Sequence, residues 1–357
     1  MKLCDVCSQV LGGLADGTIV ALGFLMIGII LVGAGNIAQS VHLPHLSAMA
    51  GVKIVAICDR QVSKARILAE KYKVPFACRT LEEALHLPGV DAVLVTTSTD
   101  AHAAVAKMAI AAGKHVFIER PAARTLIEAM EIRTLANEHG VNVMVGMNHR
   151  FRPDVVNMKN AIDRGEIGPV FYVKCGWVKQ RSTDARWIDN ADKSGGGVLV
   201  DLGISVIDMI LHVLDFGRVR TVTGATFHQA TKSVEDSVVA LLQFESGAVA
   251  TVETSWSIIR AEDLYYCNVF GKKGSAYINP YRLVRRTGNT IQSSSPPQRK
   301  TQLEIYMKSY ETEMKHFINA VKGVVPMVST IDDAIERMRI VEAIYASAEH
   351  SREIVIP

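Results

Sequence analysis

Between Ile27 and Val145, short β-rich apolar runs alternate with longer stretches whose apolar residues recur every three or four positions. The first pattern reads as strands covered on both faces and the second as amphipathic helices, so the segment predicts a parallel sheet with crossover helices. Strands are expected over 27–32, 52–58, 92–95, 115–118 and 142–145, and helices over 36–50, 62–72, 101–112 and 126–139. Gly113 and Gly140 stand where helix C-caps need them. After Phe151 the pattern changes to a helix over 153–164, a strand over 170–178, and a glycine triplet, Gly195-Gly196-Gly197, opening a long helix to about Leu214. Runs of alternating polarity over 221–229, 237–244, 248–256, 265–270 and 275–278 read as one antiparallel sheet with a single packed face. Residues 287–300, which include Ser293-Ser294-Ser295-Pro296-Pro297, read as a mobile loop, and amphipathic helices over 305–321 and 331–347 end the chain.

The first strand–helix junction carries chemistry. Ile29 to Val32 enters Gly33-Ala34-Gly35-Asn36-Ile37-Ala38, a GxGxxA turn. In such a turn the first glycine allows the sharp exit from the strand, the second lets a pyrophosphate approach the backbone, and the alanine lets helix and strand pack closely. The N–H groups opening the helix, those of Asn36, Ile37 and Ala38, then face the phosphates. Asp59 ends the next strand, roughly twenty residues on, where a ribose hydroxyl needs an acceptor. Its carboxylate favours NAD, although Arg60 beside it leaves NADP open. The expected fold class is therefore α/β: an N-terminal Rossmann fold over 26–146, then a C-terminal α+β domain over 147–357 with an open, mostly antiparallel sheet. The last helix of that second domain is free to pack back on the first.

The apolar run 19–34 invites a membrane helix, but its second half is the first Rossmann strand and too little remains to span a bilayer. Lys2 is followed by Asp5 and Asp16, unlike a signal peptide, so 1–25 is expected to be an upstream extension of a domain starting near Met26. The formal net charge is +3 with charges interspersed and no basic cluster with aromatics, which gives nucleic-acid binding no support. The six cysteines are scattered, as suits reduced thiols in a cytoplasm, and Cys4-x-x-Cys7 lacks the second pair a metal site needs. No His, Cys, Asp and Glu cluster has ligand spacing, so no metal is expected.

The order of motifs resembles the Gfo/Idh/MocA oxidoreductases. It comprises the glycine turn, His42-Leu43-Pro44, Ala112-Gly113-Lys114-His115-Val116-Phe117-Ile118-Glu119-Arg120-Pro121, and Asn148-His149-Arg150-Phe151. Gly195-Gly196-Gly197-Val198-Leu199-Val200-Asp201-Leu202-Gly203 with Asp208, and Val234-Glu235-Asp236-Ser237, complete it. The resemblance implies NAD(P)-dependent redox chemistry on a sugar, polyol or keto-compound, in a homodimer or homotetramer. It also implies a lysine beside the nicotinamide within Glu-Lys-Pro, and an aspartate and a histidine from Asp-x-Gly-x-His. Carried over by position, the glutamate is Glu119, the lysine position is Arg120, the aspartate is Asp201 and the histidine position is Ser205. Thr97 falls in a loop expected along the cofactor, where the family has a proline in place of Ser98.

Two polar catalytic groups are thus replaced. Arginine stays charged at all useful pH values, so Arg120 can polarise a carbonyl or hold an anion but cannot move a proton. Ser205 is a poor base alone. Asp201, Ser205, Asp208 and His212 are spaced to share one helix face, with Asp208 expected to pair with an arginine or a backbone group and His212 to pack or hydrogen-bond behind the site. His149 and Lys179 are the other groups able to move a proton; His102 reads as a capping or packing residue, and Trp187 equally as a cover for substrate or as loop packing. The leading reading is an oxidoreductase with altered acid–base residues. The alternative is a non-catalytic NAD(P)-binding regulator, in which the same replacements mark lost chemistry.

Overall fold

Burial on both faces explains the continuous apolar runs of the first half. In the computed structural model, which describes residues 26–180, 186–297 and 300–356, every residue of β1 (Ile27–Val32) is buried. Residues 1–25, including Cys4 and Cys7, and the side chain of Trp187 lie outside what is described. β1 pairs in parallel with β2 (Val52–Cys58) and with β4 (Ala92–Val95). With β3 (Phe76–Cys78), β5 (His115–Ile118) and β6 (Val143–Val145), the order is β3-β2-β1-β4-β5-β6. The order reverses between β1 and β4, and the carboxyl ends of strands at such a switch point form a ligand crevice.

The first helix differs from its expected form. It is helical over 36–47 rather than 36–50, and Ala38–His42 within it is a π turn leading into Leu43–Ser47. The short β3 and the helix Leu81–Leu85, capped by Thr80, were not anticipated. The helices Val62–Tyr72, Thr99–Ala111 and Leu126–His139 complete this layer.

The second sheet has nine strands: β7 (Val170–Val178), β8 (Val219–Phe227), β9 (Ser237–Phe244), β10 (Val249–Ser255), β11 (Leu264–Gly271), β12 (Gly274–Tyr277), β13 (Arg282–Thr287), β14 (Thr290–Ser294) and β15 (Ile354–Val355). Their order is β14-β13-β12-β11-β7-β10-β9-β8-β15. The sheet is open and mostly antiparallel, as expected, with one parallel pair, β10 on β7. One expectation is corrected: the stretch taken for a mobile loop contains β14, which closes a hairpin on β13. The helix Ile204–Val213 lies on the inner face and is buried almost throughout, as an apolar helix must be. The run Ala191–Val213 has the length and apolarity of a membrane span, but 83% of its apolar window is buried inside the protein.

The last two helices return to the Rossmann layer. Gln302–Val321 places Met314, Phe317 and Ile318 in the core of β1, and Ile331–His350 contributes residues to both domain cores. A buried ionic cluster ties these parts together. Asp208, fully buried, accepts from Arg150 Nε at 2.8 Å and Nη2 at 2.5 Å, and from Arg337 Nη1 at 2.6 Å. Arg150 also donates to Asp333 at 2.9 Å. Burial pushes the Asp208 carboxyl up, but the charges of Arg150 and Arg337 outweigh it and bring it down to about 2. Its ordinary value is about 3.9. The stabilisation from this shift is therefore full above that value and is lost as pH falls towards 2, an effect of about 2–3 kcal/mol. Asp208→Ala, which leaves two buried cations, should lower unfolding free energy by about 3–5 kcal/mol in urea titrations at neutral pH. Asp208→Asn should flatten the acid limb of the stability profile.

Candidate active site

The glycine turn folds as its sequence requires. Gly33 has φ +104°, and a Cβ there would lie 2.6 Å from the Thr96 carbonyl oxygen, so no other residue fits. Gly35 is exposed, and a Cβ there would meet nothing nearer than that same oxygen at 4.0 Å. This leaves the backbone open to an approaching phosphate. Ala38 is fully buried and packs in the core with Ile29 and Leu31. The turn opens on a cleft of about 720 Å³ lined by Gly33, Gly35, Asn36, Ile37, Asp59, Arg60 and Thr97. Asp59 has a second role that the motif alone does not reveal. Its Oδ2 accepts from the Ala34 N–H and its Oδ1 from the Gln61 N–H, both at 2.8 Å, so it also holds the glycine turn. An open backbone turn, helix N–H groups and a carboxylate at the far end form a donor and acceptor set that fits a dinucleotide.

The Glu119-Arg120-Pro121 segment follows β5, with a cis bond before the proline. Arg120 Nη1 donates to the Asp201 carbonyl oxygen and, at 3.2 Å, to its Oδ1. The Trp256 indole N–H donates to Asp201 Oδ2 at 3.2 Å, and the Arg120 guanidinium lies 5.7 Å above the Trp177 ring. Burial lowers the Arg120 pKa, but Asp201, Tyr310, Tyr306 and Glu119 raise it further, so the guanidinium stays charged. Glu119 Oε1 lies 2.6 Å from His42 Nε2; burial opposes its ionisation, and the bond to His42 together with the charges of His42, Arg120 and His102 more than offsets that. His102 is buried, its ring nitrogens 2.8 Å from the Pro121 carbonyl oxygen and 3.1 Å from that of Thr97, and so braces both loops.

Of the groups considered for proton movement, the structure brings His149 and Ser205 inside. His149 is 3% exposed and packed against Trp177, Tyr265 and Tyr306, with ring centroids 4.8, 4.2 and 6.1 Å away. Neither ring nitrogen has a hydrogen-bond partner among the described residues. Burial first, and then Arg152 and Arg120, hold its pKa well below the ordinary imidazole range. The Ser205 hydroxyl is likewise buried without a partner. Lys179 is not gathered with them: its side chain is 46% exposed and pairs with Asp263 at 3.7 Å. Asp208 serves the ionic cluster, and His212 lies one turn further along that helix, about two turns beyond Ser205, away from Asp201, with its pKa lowered to about 4 mainly by burial. The uniform helix face is corrected by a π turn, Leu199–Gly203, which separates Asp201 from the α-helical run that holds Ser205 and Asp208.

Several groups were not singled out from sequence. His42 is one, although it sits in a quoted motif. Others are Trp177 and Trp256 as the floor and clasp of Arg120 and Asp201, and Tyr306 and Tyr310, whose hydroxyls lie 2.9 Å apart. No group of three or more potential metal ligands occurs among the described residues.

Comparisons with known proteins agree with this geometry. D-glucoside 3-dehydrogenase of Escherichia coli K12 is 28% identical over 337 residues, covering 89% of this chain and 94% of the relative. The scyllo-inositol 2-dehydrogenase (NAD(+)) of Bacillus subtilis 168 is 29% identical over 315 residues, covering 85% and 89%. The structure of GenD2 from gentamicin A biosynthesis, in complex with NAD, superposes with a TM-score of 0.81 at 27% identity, covering 93% of this chain and 96% of that one. Residues 27–147 match the oxidoreductase family's NAD-binding Rossmann fold, and residues 159–356 match its C-terminal alpha/beta domain. With both halves matched in order, this chain belongs to the Gfo/Idh/MocA oxidoreductase family.

Proposed function

We propose that this chain is an NAD-dependent dehydrogenase of a small polyhydroxylated, sugar-like compound, or of its keto form, with Arg120 and Asp201 gripping the reacting oxygen. The observation that carries the reading is the chain of contacts Trp256–Asp201–Arg120 laid over Trp177. It offers a fixed positive fork and a carboxylate beside an aromatic face. The dinucleotide, when bound, supplies the nicotinamide that accepts or donates a hydride. Gly33, Gly35, Asn36 and Ile37 would hold its phosphates, Asp59 its ribose, and Thr97, Glu119 and Arg120 would lie toward its reactive end. The names of the relatives, a glucoside and an inositol dehydrogenase, support the substrate class.

Each residue has a role that follows from its state. Arg120 polarises the substrate oxygen and keeps its charge throughout. Asp201 accepts from a substrate hydroxyl while its other oxygen is held by Trp256. His149 is neutral and a weak base because its pKa is depressed, so it serves as a hydrogen-bonding wall together with Ser205. Lys179 stands at the rim as a charge. The free thiols of Cys58, Cys78, Cys175 and Cys267 support a reducing, cytoplasmic setting. The exposed Phe171 and Val239, on the sheet bearing the stacked Tyr172 and Phe270, support a homodimer or homotetramer.

Nicotinamide absorbance with a panel of cyclic polyols, glucosides, sugar acids and keto-sugars, using NAD and NADP in turn, tests the reading. Turnover of any member is expected; NAD binding with no turnover would favour the regulatory alternative. Arg120→Gln should reduce kcat by about a hundredfold or more while NAD affinity, measured by calorimetry, stays within about threefold. Asp59→Asn removes the charge that repels a 2′-phosphate, so the ratio of NADP to NAD affinity should rise by about tenfold.

A further inference from the structure

An arginine that cannot move a proton, a serine that is a poor base and a histidine with a depressed pKa leave one chemical task unassigned. We propose that Tyr306, hydrogen-bonded to Tyr310, is the group that gives and takes the substrate hydroxyl proton; this rests on the dehydrogenase reading above.

The placement comes from contacts. Both tyrosines lie one turn apart on the helix Gln302–Val321, and their hydroxyl oxygens are 2.9 Å apart. The Tyr306 ring stands 6.1 Å from His149, which in turn packs on Trp177, the residue under Arg120. The Tyr310 ring meets His42 edge-on at 6.1 Å, and His42 holds Glu119, the chain neighbour of Arg120. Two independent chains of contacts therefore bring the phenol pair into the surroundings of Arg120. Both phenols lie close enough to Arg120 to act on it electrostatically.

The direction of the proton follows from burial. Tyr310 is 5% exposed, and burial pushes its ionisation well above the ordinary phenol range, so it keeps its proton. Among the described residues its hydroxyl has one hydrogen-bond partner, the Tyr306 oxygen. Either hydroxyl can donate in this pair; the enclosed position of Tyr310 favours its proton on the Tyr306 oxygen, which leaves the proton of the half-buried Tyr306 for the substrate.

In the reducing direction the substrate carbonyl carbon gains a hydride from the nicotinamide, and its oxygen takes the Tyr306 phenolic proton. The phenol O–H bond breaks as the alcohol O–H bond forms. The resulting phenolate would be held by the Tyr310 hydroxyl and the Arg120 charge and would regain its proton from water, to which the half-buried Tyr306 is partly open. In the oxidising direction the phenolate would accept the hydroxyl proton as the C–H bond breaks, its electron pair and hydrogen passing as hydride to the oxidised nicotinamide while the C=O bond forms.

Tyr306→Phe removes one oxygen and keeps the ring. With whichever panel member the wild type turns over, kcat should fall by about a hundredfold or more while KM changes less than about threefold. Tyr310→Phe, which removes only the supporting bond, should cost about tenfold. A second readout needs no turnover: calorimetric titration of the same alcohol into the NADH-loaded protein should show about five- to tenfold weaker binding in Tyr306→Phe, with NADH affinity unchanged. Turnover and alcohol binding within threefold of wild type in Tyr306→Phe would overturn the assignment and leave the dehydrogenase reading intact. A wild-type chain that binds NAD and turns over nothing would overturn both.

Discussion

One buried carboxylate fixes the geometry on which the site depends. Asp208 is held by Arg150, from the turn that carries His149, and by Arg337, from the last helix. Its own helix carries Ser205 one turn earlier and continues from the π turn bearing Asp201. Three elements, two of them carrying site residues, therefore meet at two oxygens. Burying such a set contributes little net stability, because desolvation of the ions offsets much of their attraction. Its consequence is geometric: any slippage of one element would leave a cation in an apolar core without its partner. The cost of that state defines a single arrangement.

The charges around the substrate space follow a related logic. Arg120, Arg152 and Lys179 each have a carboxylate of their own, namely Asp201, Asp154 and Asp263. They still act together on His149, whose pKa is lowered first by its burial and then by these cations, against the opposing charge of Asp208. A lysine at position 120 would be a point charge able to lose its proton in such a setting. An arginine makes the field permanent and, on the proposed dehydrogenase reading, leaves the acid–base task to neutral groups.

The sequence was legible where burial leaves a simple record. The strands β1, β2, β4 and β5 appear at their expected limits because covered parallel strands must be apolar throughout. β3 has three residues, of which Phe76 is exposed, too little for a pattern. β14 is Ser-rich and wholly exposed, so its composition resembles a loop while its backbone pairs with β13. The parallel pairing of β7 and β10 leaves no trace in alternation, which fixes a strand's face but not its neighbour. In the site, the glycine turn, Asp59, Arg120 and Asp201 stand in local motifs. Tyr306 and Tyr310 do not, since long-range packing of a C-terminal helix brings them in. A signal was nonetheless present: Tyr306, Ser309, Tyr310 and Glu313 put a polar strip at helical spacing in an otherwise amphipathic helix. The structure shows why the strip tolerates burial. Ser309 accepts from Asn148, and Glu313 accepts from the Met147 N–H at 2.6 Å.

The two π turns have a common effect that periodicity could not reveal. One, Ala38–His42, ends on His42, which holds Glu119; the other, Leu199–Gly203, contains Asp201, which holds Arg120. A π turn inserts extra backbone into a helix, so side chains within it leave the face that α-helical spacing assigns them. Asp201 needs that displacement: Asp208, seven residues on, is committed to the buried cluster, whereas Asp201 must reach a loop of the other domain. Consecutive residues of the Glu119-Arg120-Pro121 segment are thus each secured by a locally widened helix, one from either side. Their side chains are set before any ligand arrives, and for groups that act by fixed charge rather than by proton transfer, that preorganisation is the property that matters.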